Sequence, residues 1–323
     1  MIIMKKILTI SFILLSTLAA CQENQSKAVK RDKNEVPKML EIYKQVKTYP
    51  NHPLYEIEFS QDACGYEILI NDLPLHRYFM FGSSNEQRIQ INDQILKKGK
   101  QTITIRLFPP QLSDHSYSPV LVDASKFSIK VLHRKFKDPL EDYKQDFEFI
   151  SPHKPGTEKF AASGQKFYEF TGTFEADVPY HVEGWEGSKD LSKENQNELL
   201  KETVAAYNNF RDILVKKDAD AYASLMYDKE VELAKTYYWS TPKDSEERWH
   251  DMKKSLLEDR NILKLSDYKL VLYAHGRVVA LQPTSEMYKD YLSAMHAQTP
   301  EKDIQYSFFL HKKSGSNTLT PIR

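Results

Sequence analysis

Gln101-Thr102-Ile103-Thr104-Ile105-Arg106-Leu107 alternates polar and apolar residues without a break and runs up to Pro109-Pro110. A period of two sends successive side chains to opposite faces, so the stretch reads as a strand with one face for a core and one for water. Just before it, Lys98-Gly99-Lys100 reads as a tight turn, because glycine accepts the positive φ a hairpin needs. The same period appears in Leu54 to Phe59, Tyr66 to Ile70, Gln87 to Ile91, Lys126 to Val131 and Asp146 to Phe149, with a further strand from Phe167 to Phe174. Many short alternating strands joined by Gly, Pro and Asn are expected to form an all-β antiparallel sandwich, placed at residues 51–180.

Beyond the glycines and charges of residues 180–191, where a domain boundary is expected, the period changes. Leu199, Thr203, Ala206, Phe210 and Leu214 recur on one helical face, in a helix starting at Ser192 or capped by Asn195. A second helix is expected from about Asp218 through Tyr238. Pro242 breaks the pattern, and a third helix follows from Ser245 to Leu257. The period then returns to two in Tyr268 to Tyr273 and Val278 to Leu281, which flank the turn signal His275-Gly276. Ile304 to Leu310 and Thr318 to Ile322 complete the strands. Residues 190–323 are therefore expected to be an α+β domain with helices packed on a curved antiparallel sheet. The whole chain is expected to hold two domains.

At the other end, Lys5 and Lys6 precede the apolar run Ile7 to Leu15, followed by Leu18-Ala19-Ala20-Cys21. That is the layout of a cleavable signal over residues 1–20, too short to span a bilayer. The Leu-Ala-Ala-Cys ending resembles the lipobox of bacterial lipoproteins. The resemblance implies cleavage before Cys21, attachment of diacylglycerol to its thiol, and acyl chains of the palmitate class holding the protein at a membrane. Gln22, rather than Asp, after that cysteine is similar to outer-membrane sorting in enteric-type envelopes. Residues 22–38 are polar and lack aromatics, so residues 21–50 are expected to be a lipidated cysteine and a flexible tether, with a reach of about 20–25 Å. Without residues 1–20 the chain is near −2 in charge, since Lys plus Arg and Asp plus Glu both count 45 and only two lysines are lost. This argues against nucleic acid, whose binding rests on a strong positive field. Of the two cysteines, Cys64 is then left without a partner and reads as a small buried hydrophobe.

Two further resemblances bear on the body. Ile70-Asn71-Asp72-Leu73-Pro74-Leu75, with Ile91-Asn92-Asp93-Gln94-Ile95-Leu96-Lys97-Lys98-Gly99-Lys100, is similar to galactose-binding-like jelly rolls. The order of helices then strands after residue 190 resembles the cone fold of nuclear transport factor 2 and ketosteroid isomerase. Such a cone implies a pocket, which Tyr207, Tyr222, Tyr237, Tyr238, Trp239, Trp249 and Tyr273 could line. Aromatics serve a helix-on-sheet core equally well. Asp228, Asp251 and Asp267 are carboxylates of the region, but their spacing selects none, and His250 lies on a charged helix. Metal-ligand spacing, a Gly-x-Ser-x-Gly elbow and a phosphate-cradling glycine loop are missing from the sequence, so no catalytic residue, metal or cofactor is assigned.

These features lead to the expectation of a non-catalytic lipoprotein of the cell envelope, facing the periplasm from the outer membrane and binding another protein. One version is an immunity protein against an interbacterial toxin. A glycan or small-molecule binder and an isomerase-like enzyme are the alternatives. Changing Cys21 to Ser is expected to move the protein out of the membrane fraction or leave it unprocessed, as cell fractionation and intact mass would show. Unchanged maturation and retention would refute the lipid anchor.

Overall fold

The computed structural model describes residues 35–136, 139 and 142–323; the signal and lipobox positions, Cys21 among them, lie outside the described residues. A short helix, α1 (Glu35–Leu40), comes first. Eight strands follow: β1 (Pro53–Asp62), β2 (Gly65–Ile70), β3 (Leu73–Tyr78), β4 (Ser84–Gln90), β5 (Lys97–Phe108), β6 (Lys126–Lys135), β7 (Lys144–Ile150) and β8 (Tyr168–His181). They pair antiparallel into two four-stranded sheets, ordered β4-β1-β6-β7 and β3-β2-β5-β8. The alternation of β5 does what its pattern dictates: Ile103, Ile105 and Leu107 are fully buried, while Thr104 and Arg106 stay half-exposed. The inward rings of the two sheets meet, Phe59 on Tyr66 at 5.7 Å and Tyr66 on Phe127 at 5.1 Å between centroids. The arrangement is sandwich-like.

Two local readings change. Lys98-Gly99-Lys100 does not turn the chain but lies inside β5, where the pairing with β8 slips between Lys97 and Gly99. A β-bulge also wants positive φ, and Gly99 supplies +114°. The hairpin sits instead at Asn71-Asp72, with φ of +52° and +60°, and creates the unforeseen strand β3.

The C-terminal half begins with α2 (Gln196–Lys216), capped by Asn195, whose side chain accepts from the amides of Asn197 and Glu198. Asp218 caps α3 (Ala219–Thr236). Pro242 opens α4 (Pro242–Leu257) rather than ending a helix, since its missing amide is one the first turn leaves unbonded anyway. Thr241 and Asp244 close a capping box around it. Next come β9 (Asn261–Ile262), β10 (Tyr268–Tyr273), β11 (Val278–Pro283), β12 (His296–Gln298), β13 (Asp303–Gln305), β14 (Phe309–Lys312) and β15 (Leu319–Ile322). The expected single strand 304–310 is thus divided between two sheets, β13-β12-β9 and β10-β11-β14-β15.

Every residue of β11 is buried. Val278 and Ala280, with Phe309 and Tyr273, belong to the sandwich core. Val279 and Leu281, with Leu310, belong to the core under the helices. The described residues accordingly form one compact unit, with no division at 180–191. Part of residues 21–50, where a flexible tether is expected, is packed instead: α1 and the 3-10 turn Ile42–Gln45 dock on α3 and α4, burying Met39, Ile42 and Val46. Those apolar residues recur every three or four positions, a stripe the surrounding lysines and glutamates conceal.

Asn92 joins the halves. It is fully buried, and its Oδ1 accepts from the Tyr55 amide at 2.8 Å. Its Nδ2 faces the carbonyls of Pro53 (3.0 Å) and Thr236 (3.3 Å) and the Tyr180 hydroxyl (3.3 Å), and that hydroxyl donates to the Asn92 carbonyl (3.0 Å). Substituting Asn92→Ala strands several of these groups in the interior and should lower stability by about 2–4 kcal/mol, read from the urea midpoint. A change below about 0.5 kcal/mol would refute the role.

His311 of β14 is also buried, with its Nδ1 2.7 Å from the Ser188 hydroxyl. Burial pushes its pKa down to about 4, with Lys313 and Arg323 acting the same way against Glu232 and Asp228. The folded state therefore binds fewer protons than the unfolded chain between pH 6.5 and 4, and stability falls as pH falls through that window. From His311 alone the loss amounts to about 3 kcal/mol. Denaturation of His311→Gln across pH 4–7 should lack this component; an unaltered pH profile would contradict it.

Candidate functional site

The aromatic residues singled out by sequence do not line a common cavity. Tyr207 is fully buried in α2, where its hydroxyl accepts from the Leu281 amide (3.0 Å) and donates to the Phe308 carbonyl. Burial pushes that hydroxyl up to about 12, so it braces helix to sheet and exchanges no proton near neutrality. Tyr222 stacks on Phe210 in the same core, at 6.3 Å between centroids. Trp239 and Trp249 face a cavity of only about 10 Å³, which Met39 and Ile42 of the N-terminal segment close. That volume holds no more than about one water. Tyr238 and Tyr273 lie on the other side, in the sandwich core. Tyr238 stacks on His52 at 4.5 Å and donates to the Pro53 carbonyl at 3.1 Å; Tyr273 accepts from Gln282 at 3.1 Å. Tyr237 donates to Asp93 at 3.1 Å. These are packing positions spread over two layers.

The carboxylates noted in sequence stand apart from the rings. Asp228, Asp251 and Asp267 are exposed, as is His250, and Asp228 pairs with Lys313 at 2.7 Å. On the helices, a carboxylate that was not singled out, Glu230, is buried, and Arg248 holds both its oxygens at 2.7 and 2.9 Å. Its signal in the sequence is its place on the stripe Met226, Glu230, Ala234 of α3. A bidentate ion pair leaves no free acid or base there. Cys64 is buried with its thiol 3.4 Å from the Lys126 carbonyl, and burial pushes the thiol up to about 12, which makes it inert. Among the described residues, no cluster of three or more His, Cys, Asp or Glu could hold a metal ion.

An accessible cleft lies elsewhere, on the outer face of the first sheet. It has a volume of about 480 Å³ and crosses all four strands where β4, β1, β6 and β7 pass side by side. Strand pairing builds its floor. Ser60 and Ser128 stand opposite each other in register with their hydroxyls 2.9 Å apart, and Asp62 stands opposite Lys126. Ser84 and Glu86 of β4 form one wall, and Ile150 of β7 with His153 forms the other. Ile150 is 60% exposed, an aliphatic side chain offered to solvent beside hydroxyls.

Beneath this floor Gln61 is buried, donating from Nε2 to the Gly82 carbonyl at 3.0 Å while its Oε1 has no hydrogen-bond partner among the described residues. Just before Ser84 the β3–β4 loop exposes Met80 and Phe81, the latter 58% exposed and pinned by its amide to Gln111 Oε1 at 2.9 Å. The site therefore offers hydroxyls, one acid and one base on its floor, and the exposed apolar side chain of Ile150 in one wall. It contains no nucleophile beside an oriented base, the geometry covalent catalysis needs. Sequence reasoning missed these residues because a serine on the polar face of a strand looks like any solvated position until the register sets it beside another.

No protein-family model, curated protein or solved structure matches this chain, so its resemblances to jelly rolls and cone folds rest on the residues alone.

Proposed function

We propose that this protein is a non-catalytic, lipid-anchored component of the cell envelope that binds another protein, and that the cleft across β4, β1, β6 and β7 is where the partner docks. In this reading residues 51–180 serve as the sandwich that presents the cleft, and residues 190–323 as a cone-like support behind it. The observation that carries the proposal is the cleft's make-up: a wide polar floor of about 480 Å³ with Ile150 exposed in one wall. An exposed apolar side chain beside a hydrogen-bonding floor fits the anatomy of a protein interface, in which a few large side chains carry most of the affinity. A glycan fits less well. Sugar rings stack on exposed aromatic faces, and the aromatic residue in the cleft lining, Phe127, is buried.

The test is crosslinking in intact cells followed by recovery of the protein from membranes. A dominant protein partner should co-purify with the parent. Yield should fall at least tenfold with Ser60→Arg/Ser128→Arg, which fills the floor, and stay unchanged with Lys253→Glu on the exposed face of α4. Equal recovery from all three, or no partner at all, would overturn the proposal.

A further inference from the structure

The docked N-terminal segment has the construction of a latch. Residues 35–46 consist of one six-residue helix and one 3-10 turn, too short to hold a helical shape without the surface beneath them. Met39, Ile42 and Val46 are buried, and the partly buried Val36 packs beside them. Among the described residues, hydrogen bonds join the segment to the body at two points: the Tyr43 amide donates to Ser245 Oγ at 3.0 Å, and Gln45 donates to the Tyr227 hydroxyl. Both can be exchanged for water at small net cost. Ion pairs Glu35–Lys38 and Glu41–Lys44 lie within the segment, so they survive its departure.

The surface under the segment is equally self-sufficient. Glu230 and Arg248 neutralise each other, and the Arg248 guanidinium lies 5.5 Å from the Trp239 ring. Lifting the segment exposes apolar surface around Trp239 and Trp249 without stranding a buried charge. The burial of these few apolar side chains is set against the conformational freedom of roughly twelve residues, so docking has no large surplus of free energy over release.

We propose that residues 35–46 form a reversible latch, docked on α3 and α4 in one state and released in the other, while the rest of the fold stays intact. Release lengthens the chain between Glu35 and Lys47 by about 25 Å, the difference between extended and helical rise over some twelve residues. The latch itself is independent of the cleft. Its use, extending a tethered protein's reach toward a partner, rests on the lipid-anchor reading, which fractionation of Cys21→Ser tests separately.

The decisive experiment pulls the full chain between handles at its two ends. The parent should show a first, low-force gain of about 25 Å that reverses on relaxation, ahead of the larger steps of the body. In Met39→Asp/Ile42→Asp that first step should vanish and the later steps should keep their forces. Hydrogen exchange of residues 35–46 in the same variant should rise at least tenfold, with α3 and α4 within twofold of the parent. A parent without a separate first step overturns the latch. So does a variant whose body unfolds at lower force or fails to fold, because the segment is then an integral part of the core.

Discussion

Strand β11 has no side that faces water, and that constraint organises everything around it. Alternate residues, Val278 and Ala280 against Val279 and Leu281, belong to two different cores. A strand buried on both faces must be covered by one layer on each, here the β-sandwich and the helices. Neither half can leave without exposing one face of this strand, which is why a chain with two kinds of sequence pattern folds as one unit. Asn92 and its partners close the same seam in polar terms. They satisfy the backbone where the sandwich, through Pro53 and Tyr55, meets the end of α3 at Thr236.

Local periodicity made the elements legible but said little about how they assemble. The strands containing Leu54 to Phe59, Tyr66 to Ile70 and Gln101 to Leu107 could be located because a half-buried strand writes its two faces into alternate residues. α2 was equally plain. The failures have specific causes. Gly99 and Pro242 each have two structural uses, and composition pointed to the commoner one: turn rather than bulge, break rather than first helical position. β9, β12 and β13 are too short to show a period at all. The boundary placed at 180–191 follows a genuine change of period. A change of period marks a change of element, and separate domains require separate cores as well.

The candidate cleft was the least legible part, and the reason is physical. Aromatic residues attract attention in a sequence because they dominate burial energetics. In this fold that burial is already committed: Tyr207, Tyr238, Tyr273 and Trp249 are nearly inaccessible, and the tyrosine hydroxyls bond to backbone or to neighbouring side chains. The outer polar face of the first sheet stays open for recognition. There, serine in place of a longer side chain at Ser60 and Ser128 lowers the floor between Asp62 and Lys126 at one end and the ion-paired row of Glu58, Arg88 and Lys130 at the other. A depression of this kind is made by small residues in register, so it becomes visible only when strand pairing is known.

The N-terminal segment shows the same limitation from the opposite direction. Polar composition implies that residues 22–38 cannot build a core of their own. It does not indicate that Met39, Ile42 and Val46 can be inserted into a core built by others. Burial is a property of the pair of surfaces, and the second surface, between α3 and α4, comes from residues nearly two hundred positions away. The Trp239 and Trp249 surface that the cone resemblance would assign to a ligand pocket is thus covered by the chain itself. Any partner seeking that surface must compete with a segment tethered beside it, whose effective concentration is far above that of a free molecule. The outer cleft has no such competitor among the described residues, which makes it the surface open to a partner while the segment remains docked.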